Sequence, residues 1–238
     1  MDMLKKLMAV SLAGLMSWGV QAANVNNGVN MLFGDGSVVD GNFTVGSNVN
    51  GLELGLRART RGQNDVLQVG SSNLYQATPG FANGAALWNF DFSINAGAQA
   101  LSAYRYSLTI SYLDGAAATF DPVFSSVADH DFGVYGVAGP GQEFAGGAYY
   151  DALSEYSFLQ QSWNLEWFDA PGNNWDPNAA GLYQITLSAT MDGQDAGSTT
   201  INVRVGDAPG NEVPEPTAMA LVGLALVGAA AARRRRKA

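Results

Sequence analysis

Apolar and polar residues alternate along much of the middle of the chain. In Trp88-Asn-Phe-Asp-Phe-Ser-Ile94 the aromatics and Ile94 occupy one parity, while Asn89, Asp91 and Ser93 occupy the other. The same period of two runs through Leu52–Ala58, Tyr106–Tyr112, Trp163–Trp167, Tyr183–Ala189 and Ile201–Val205. Successive side chains of a strand point to opposite faces, so this pattern predicts half-buried strands of five to seven residues. Gly, Asn, Asp and Pro separate them, as in Leu113-Asp-Gly-Ala, Asp169-Ala-Pro-Gly-Asn-Asn and Met191-Asp-Gly-Gln-Asp, which read as turns. No amphipathic helix of useful length is expected. Strands with one apolar face each must close against one another, so the expected fold is all-β: an antiparallel β-sandwich, of which the jelly roll is one form. Residues 24–50 and 121–150 break the alternation. The second stretch carries Gly133, Gly136, Gly139, Gly141, Gly146 and Gly147 and reads as a long loop or a surface excursion with short edge strands.

The two ends follow other rules. Lys5 and Lys6 precede an apolar run, Leu7–Val20, which closes on Val20-Gln21-Ala22. That is the layout of a secretory signal, cut after Ala22 or Ala23 by signal peptidase. At the other end, Thr217–Ala232 holds no charge and has no polar face. As a helix it spans roughly 24 Å, a little short of a ~30 Å hydrocarbon core. Pro214 and Pro216 keep the chain extended just before it. Arg233, Arg234, Arg235, Arg236 and Lys237 follow it, a block that stays on the cytoplasmic side of a membrane. The expected divisions are a signal peptide over 1–22, a sandwich domain over 23–205 and a linker over 206–212. A C-terminal segment over 213–238 then holds a transmembrane helix at about 217–232 and a basic tail at 233–237.

The sequence Val213-Pro214-Glu215-Pro216, the apolar helix through Leu221–Val227 and the cluster Arg233–Arg236 together resemble the PEP-CTERM sorting signal. The resemblance implies a Gram-negative bacterial protein handled by an exosortase, a membrane cysteine transpeptidase that cuts near Pro-Glu-Pro and passes the product from the inner membrane to the cell surface or beyond. It also implies a setting rich in exopolysaccharide. The run Ala229–Ala232 departs from the bulkier residues common at that point of the signal. Four phrases of the body, at Glu53–Arg59, Leu87–Asn95, Val127–Gly133 and Ser162–Trp167, resemble uncharacterised proteins with the same signal and bring no activity with them.

Charge sharpens the picture once the ends are set aside. Residues 24–211 hold five Arg, no Lys and eighteen Asp or Glu, a net charge of −13. Such a body repels the phosphates of nucleic acid and suits divalent cations, calcium first among them. The chain has no Cys, so an exported fold stands without disulfides and no thiolate chemistry is available.

Candidate sites are few. Glu155 and Glu166, on two neighbouring strand-like stretches, are the best-placed carboxylate pair for a glycan hydrolase, although Glu166 falls on the polar parity of its stretch, where a solvated side chain is the plainer reading. His130 is the only histidine, which excludes a three-histidine zinc site. No Gly-x-Ser-x-Gly elbow accompanies it. Asp129 and Asp131 flank it as candidate metal ligands or as a polar turn. Asp192 and Asp195 offer oxygens to calcium, yet Asp-Gly is also an ordinary turn dipeptide. Trp175, in a polar loop, is the candidate glycan platform, whereas Trp88, Trp163 and Trp167 share strand faces with aliphatic residues and read as core. Arg57, Arg59 and Arg61 share one parity and either grip an anionic polymer or pair with carboxylates across strands. The expectation is a non-catalytic surface or matrix protein without a cofactor. A carbohydrate- or calcium-binding module is the alternative, and a glycan hydrolase the remote one.

Overall fold

The computed structural model describes residues 24–26, 43–48, 51–63, 65–70, 72–112, 115, 117–124, 130–134, 141–164 and 179–206. Among them the strands are β1 (Asn24–Asn26), β2 (Phe43–Val45), β3 (Ser47–Asn48), β4 (Glu53–Thr60), β5 (Leu74–Ala77), β6 (Phe81–Ala82), β7 (Ala85–Ala86) and β8 (Trp88–Asn95). They continue with β9 (Arg105–Ser111), β10 (Ala117–Phe120), β11 (Asp131–Gly133), β12 (Gln142–Glu143), β13 (Phe158–Trp163), β14 (Gly181–Met191) and β15 (Gln194–Val205). One sheet has the order β1-β2-β4-β8-β13-β11-β12; the other runs β10-β9-β14-β15-β3, with β5 also paired to β15. The fold is an all-β sandwich, as the alternation predicts.

The apolar parity of each strand points between the sheets. Leu54, Leu56, Ala58, Phe90, Phe92 and Ile94 of the first sheet meet Leu108, Ile110, Tyr183, Ile185, Leu187 and Val203 of the second in one core. Trp88 packs on Tyr183 with ring centroids 6.0 Å apart. Tyr75, on β5, crosses the gap: its hydroxyl donates to Leu56 O at 3.3 Å and lies 2.8 Å from Thr44 Oγ1. Burial pushes this phenol's pKa up to about 12, so it stays protonated and keeps its donor role.

Two local devices set the register. β2 belongs to the first sheet and β3 to the second, so the chain changes sheets at Gly46. A Cβ built there would lie 1.6 Å from Ser198 O; no other residue fits at that approach. At the opposite extreme, β14 and β15 are joined by Asp192 and Gly193, at φ 51° and 76°, the two left-handed residues of a tight hairpin turn. The register shifts by one between Ala189 and Thr190, leaving Ala196 as a bulge.

The structure departs from expectation in five places. A helix, α1 (Gly147–Glu155), interrupts the β pattern and buries Tyr149, Ala152 and Leu153, a helical spacing too short to stand out in sequence. The stretch 121–150 therefore ends in helix, and it also contributes β11 and the edge strand β12. β13 ends at Trp163, the first residue of the strand expected over Trp163–Trp167, and Asn164 is not in a strand; residues 165–167 lie outside those described. β5 pairs with β15 in parallel, so the second sheet is mixed. Finally, β8 and β13 are buried along their whole length and β4 nearly so, where half-burial was expected. Polar side chains on their outer face hydrogen-bond one another, Arg57 and Arg59 to Asp91, Asn89 to Ser162 and Gln160 to Ser93, which offsets much of the cost of leaving water.

Candidate functional site

The outer face of the first sheet is built from the polar parity of three adjacent strands. Arg57 stands opposite Asp91, and Asp91 opposite Ser162. Arg57 Nε donates to Asp91 Oδ2 at 2.7 Å, and Arg59 Nε to Asp91 Oδ1 at 3.0 Å. Arg59 also donates to Ser162 Oγ at 3.1 Å and to Gln63 O at 2.6 Å. Asn89 donates to Ser162 Oγ, and Asn164 to Asn89 Oδ1 and to the carbonyls of Ala86 and Trp88. Phe43 lies against the Arg57 guanidinium, 4.3 Å from its ring centroid. Arg57, Arg59 and Asp91 are all buried. Of the two readings of the arginines, cross-strand pairing holds for Arg57 and Arg59. Arg61 stays nearer solvent and donates to Ala82 O at 3.0 Å.

His130 is buried on the other side of this sheet, beside Phe92 and Trp163 with centroids 5.9 and 5.6 Å away. Tyr149, from α1, brings its hydroxyl within 2.8 Å of His130 Nδ1 and donates its proton to Val123 O. That leaves the tyrosine oxygen as acceptor, so Nδ1 carries the imidazole proton. Nε2 is buried without a hydrogen-bond partner. Burial pulls the histidine's pKa down to about 4, opposed by a hydrogen bond that the imidazole donates to the backbone carbonyl of Pro122. The imidazole is neutral at neutral pH, and it ties α1, the turn at 121–124 and β11 together. Chemically this is a clasp.

The remaining candidates are scattered. Asp131 is buried on β11, two strands along the first sheet from β8, and opposite Gln160 and Glu143. Asp192 is a hairpin residue, and Asp195 Oδ1 accepts from Gly197 N at 3.1 Å, steadying the bulge. Among the described residues no three His, Asp or Glu side chains gather as a metal-binding group. Glu155 is exposed and is the last residue of α1, which corrects its placement on a strand. Trp88 and Trp163 are core residues, as expected. Asp129, Glu166, Trp167, Trp175, Ala22 and Ala23 lie outside the described residues, as do Val213, Pro214, Glu215, Pro216, Arg233, Arg234, Arg235 and Arg236. Among the described residues no helix is long and apolar enough to cross a membrane; the tail at 217–232 is outside them.

Sequence reasoning missed Asp91 and Tyr149. Asp91 had a legible signal, since it is the carboxylate on the polar parity of a strand rich in aromatics. Tyr149 had none, because its partner is nineteen residues away across a glycine-rich stretch.

Comparison with known proteins reaches the tail. Residues 212–236 match the family model of the PEP-CTERM protein-sorting motif. The chain carries a PEP-CTERM sorting motif. Such a motif marks a secreted, membrane-transiting protein that an exosortase processes. Neither the curated proteins nor the solved structures contain a match to the chain, so the sandwich attached to the PEP-CTERM motif is read from its own residues.

Proposed function

We propose that this chain is a non-catalytic component of the cell surface or extracellular matrix, delivered by exosortase and working among exopolysaccharide. The observation that carries the reading is the PEP-CTERM motif at residues 212–236, set behind an acidic sandwich without cysteine. The route is export under the signal at 1–22, an inner-membrane stage held by residues 217–232, and release or attachment after cleavage near Pro214–Pro216. The titratable side chains described inside the fold support a structural role: Arg57 and Arg59 are engaged with Asp91, and His130 with Tyr149.

The test is the mass of the mature C-terminal peptide, measured on protein from separate membrane and surface fractions of the native host. A peptide ending near Val213–Pro216 on protein outside the cell is the expected result. An intact Ala-rich helix persisting in the membrane fraction overturns the sorting route. Calcium binding predicts that chelation lowers the melting temperature. Hydrolysis predicts release of reducing sugar that Glu166→Gln abolishes, and that result would overturn the non-catalytic reading.

A further inference from the structure

The outer face of the second sheet differs from that of the first. One row across four strands is all threonine: Thr119, Thr109, Thr186 and Thr200 stand opposite one another on β10, β9, β14 and β15. Their hydroxyls are linked in pairs, Thr109 to Thr119 at 3.0 Å and Thr186 to Thr200 at 2.9 Å. The rows on either side hold serine, with glutamine and asparagine, and no charge. All of these side chains are half-buried or exposed, and beyond them Leu182 is 43 % exposed, so none of the described residues covers the face.

Cations stand at its two ends. Arg204 lies opposite Leu182, and Arg105 opposite Thr190. The separation along β14 is eight residues, roughly 26 Å at ~3.3 Å per residue. With Arg57 and Arg59 committed to Asp91, these are two of the three other arginines of the body. Among the described residues neither forms an ion pair. Arg105 lies over the ring of Phe124 at 4.7 Å, and Arg204 Nε is shielded from solvent without a hydrogen-bond partner. The nearby carboxylates are turned elsewhere: Asp195 onto Gly197 N, Asp121 onto the amides of Val123 and Phe124. In a body with a net charge of −13, two arginines without an ion pair among the described residues, at the ends of a hydroxyl-lined face on which Asp195 stands in register with Thr190, are a complementarity toward anions.

We propose that this face docks an extended acidic polysaccharide, its carboxylates on Arg105 and Arg204 and its hydroxyls on the threonine and serine rows between them. A polyhydroxyl chain matches a surface of hydroxyls and amides, each able to donate and accept. Guanidinium groups take carboxylates in paired hydrogen bonds. Nucleic acid does not fit, because two cations cannot offset its dense phosphates against an acidic body. The proposal rests on the exported reading, since the polymer is met outside the cell.

The test passes protein from cells expressing the full chain over immobilised polygalacturonate, with dextran as the neutral control and a chelator present to exclude bridging by calcium. Retention on polygalacturonate that weakens with salt is expected, falling about tenfold or more in the R105Q/R204Q variant with its urea midpoint unchanged. Thr186→Val with Thr200→Val should weaken it about threefold. Equal retention of the arginine variant, or no retention of the parent, overturns the proposal. So does a concentration-dependent dimer that needs the same arginines without any glycan, which assigns the face to a second copy. Protein that reaches the surface, correctly trimmed, yet ignores polygalacturonate sinks this inference alone; protein held in the cytoplasm sinks the exported reading instead.

Discussion

The two sheets have the same alternating sequence and opposite outer faces. On the first sheet the polar parity carries two arginines and an aspartate, and it is buried. On the second it carries threonine, serine and amides, and it meets solvent. A buried charge requires partners at fixed positions, so the first face is a place where single changes are costly. An exposed hydroxyl exchanges protein for water at little cost, so the second face is free to answer to something outside the fold. Two strands of equal pattern can therefore do opposite work, and the chemistry of the polar parity decides which.

The sharpest way to break that contrast is to remove Asp91. Asp91→Ala leaves two buried guanidinium groups without their shared carboxylate, and a loss of about 3–5 kcal/mol in urea unfolding is expected. A loss below about 1 kcal/mol would mean that the charges reach water and that the two faces are alike. Replacing Arg57, Asp91 and Arg59 together by apolar residues of similar volume should cost much less than Asp91→Ala, because no unpaired charge remains.

His130 gives the next largest effect and comes from the interior between the faces. Its pKa is about 4 in the fold and near 6.5 when unfolded, so the folded state binds fewer protons between those values. Stability is whole above pH ~6.5 and drains as pH falls toward about 4, by about 3 kcal/mol in all. Urea midpoints for the parent and for His130→Gln, followed through that window, should converge as pH falls. Parallel curves would place the imidazole in contact with water. Where the sheets join, Gly46→Ala should cost about 1–3 kcal/mol by forcing a methyl group onto Ser198 O; a neutral result would show that β2 and β3 part easily.

Much of the sandwich was legible because period two is a direct record of strand geometry. The same record says nothing about what the polar parity faces. Asn89, Asp91 and Ser93 alternate with aromatics in the same way whether water or Arg57 lies beyond them. Burial of β4 and β8 on both faces was therefore invisible, although the shared parity of Arg57 and Arg59 offered cross-strand pairing as one of its two readings. α1 was hidden for another reason: nine residues with three buried positions, preceded by Gly146 at φ 61°, carry too few turns to declare a period. The sorting motif was the most readable part because its proline pair, apolar run and arginine block are contiguous in sequence. The threonine row is the reverse case. Its four members are spread from residue 109 to residue 200, and only strand order brings them into line.

That row supplies the smallest expected effect and the finest edge of the comparison. Thr186 and Thr200 bond to each other at a surface where water replaces the lost partner. Valine keeps the β-branched shape that suits a strand. The double change to valine should therefore alter unfolding free energy by no more than about 0.5 kcal/mol, measured beside Asp91→Ala under the same conditions. A ratio near ten between the two losses is what separate structural and receptive faces predict. If the threonine pair instead costs as much as the aspartate, then the ladder is part of what holds the second sheet together, and its exposure no longer argues for a partner.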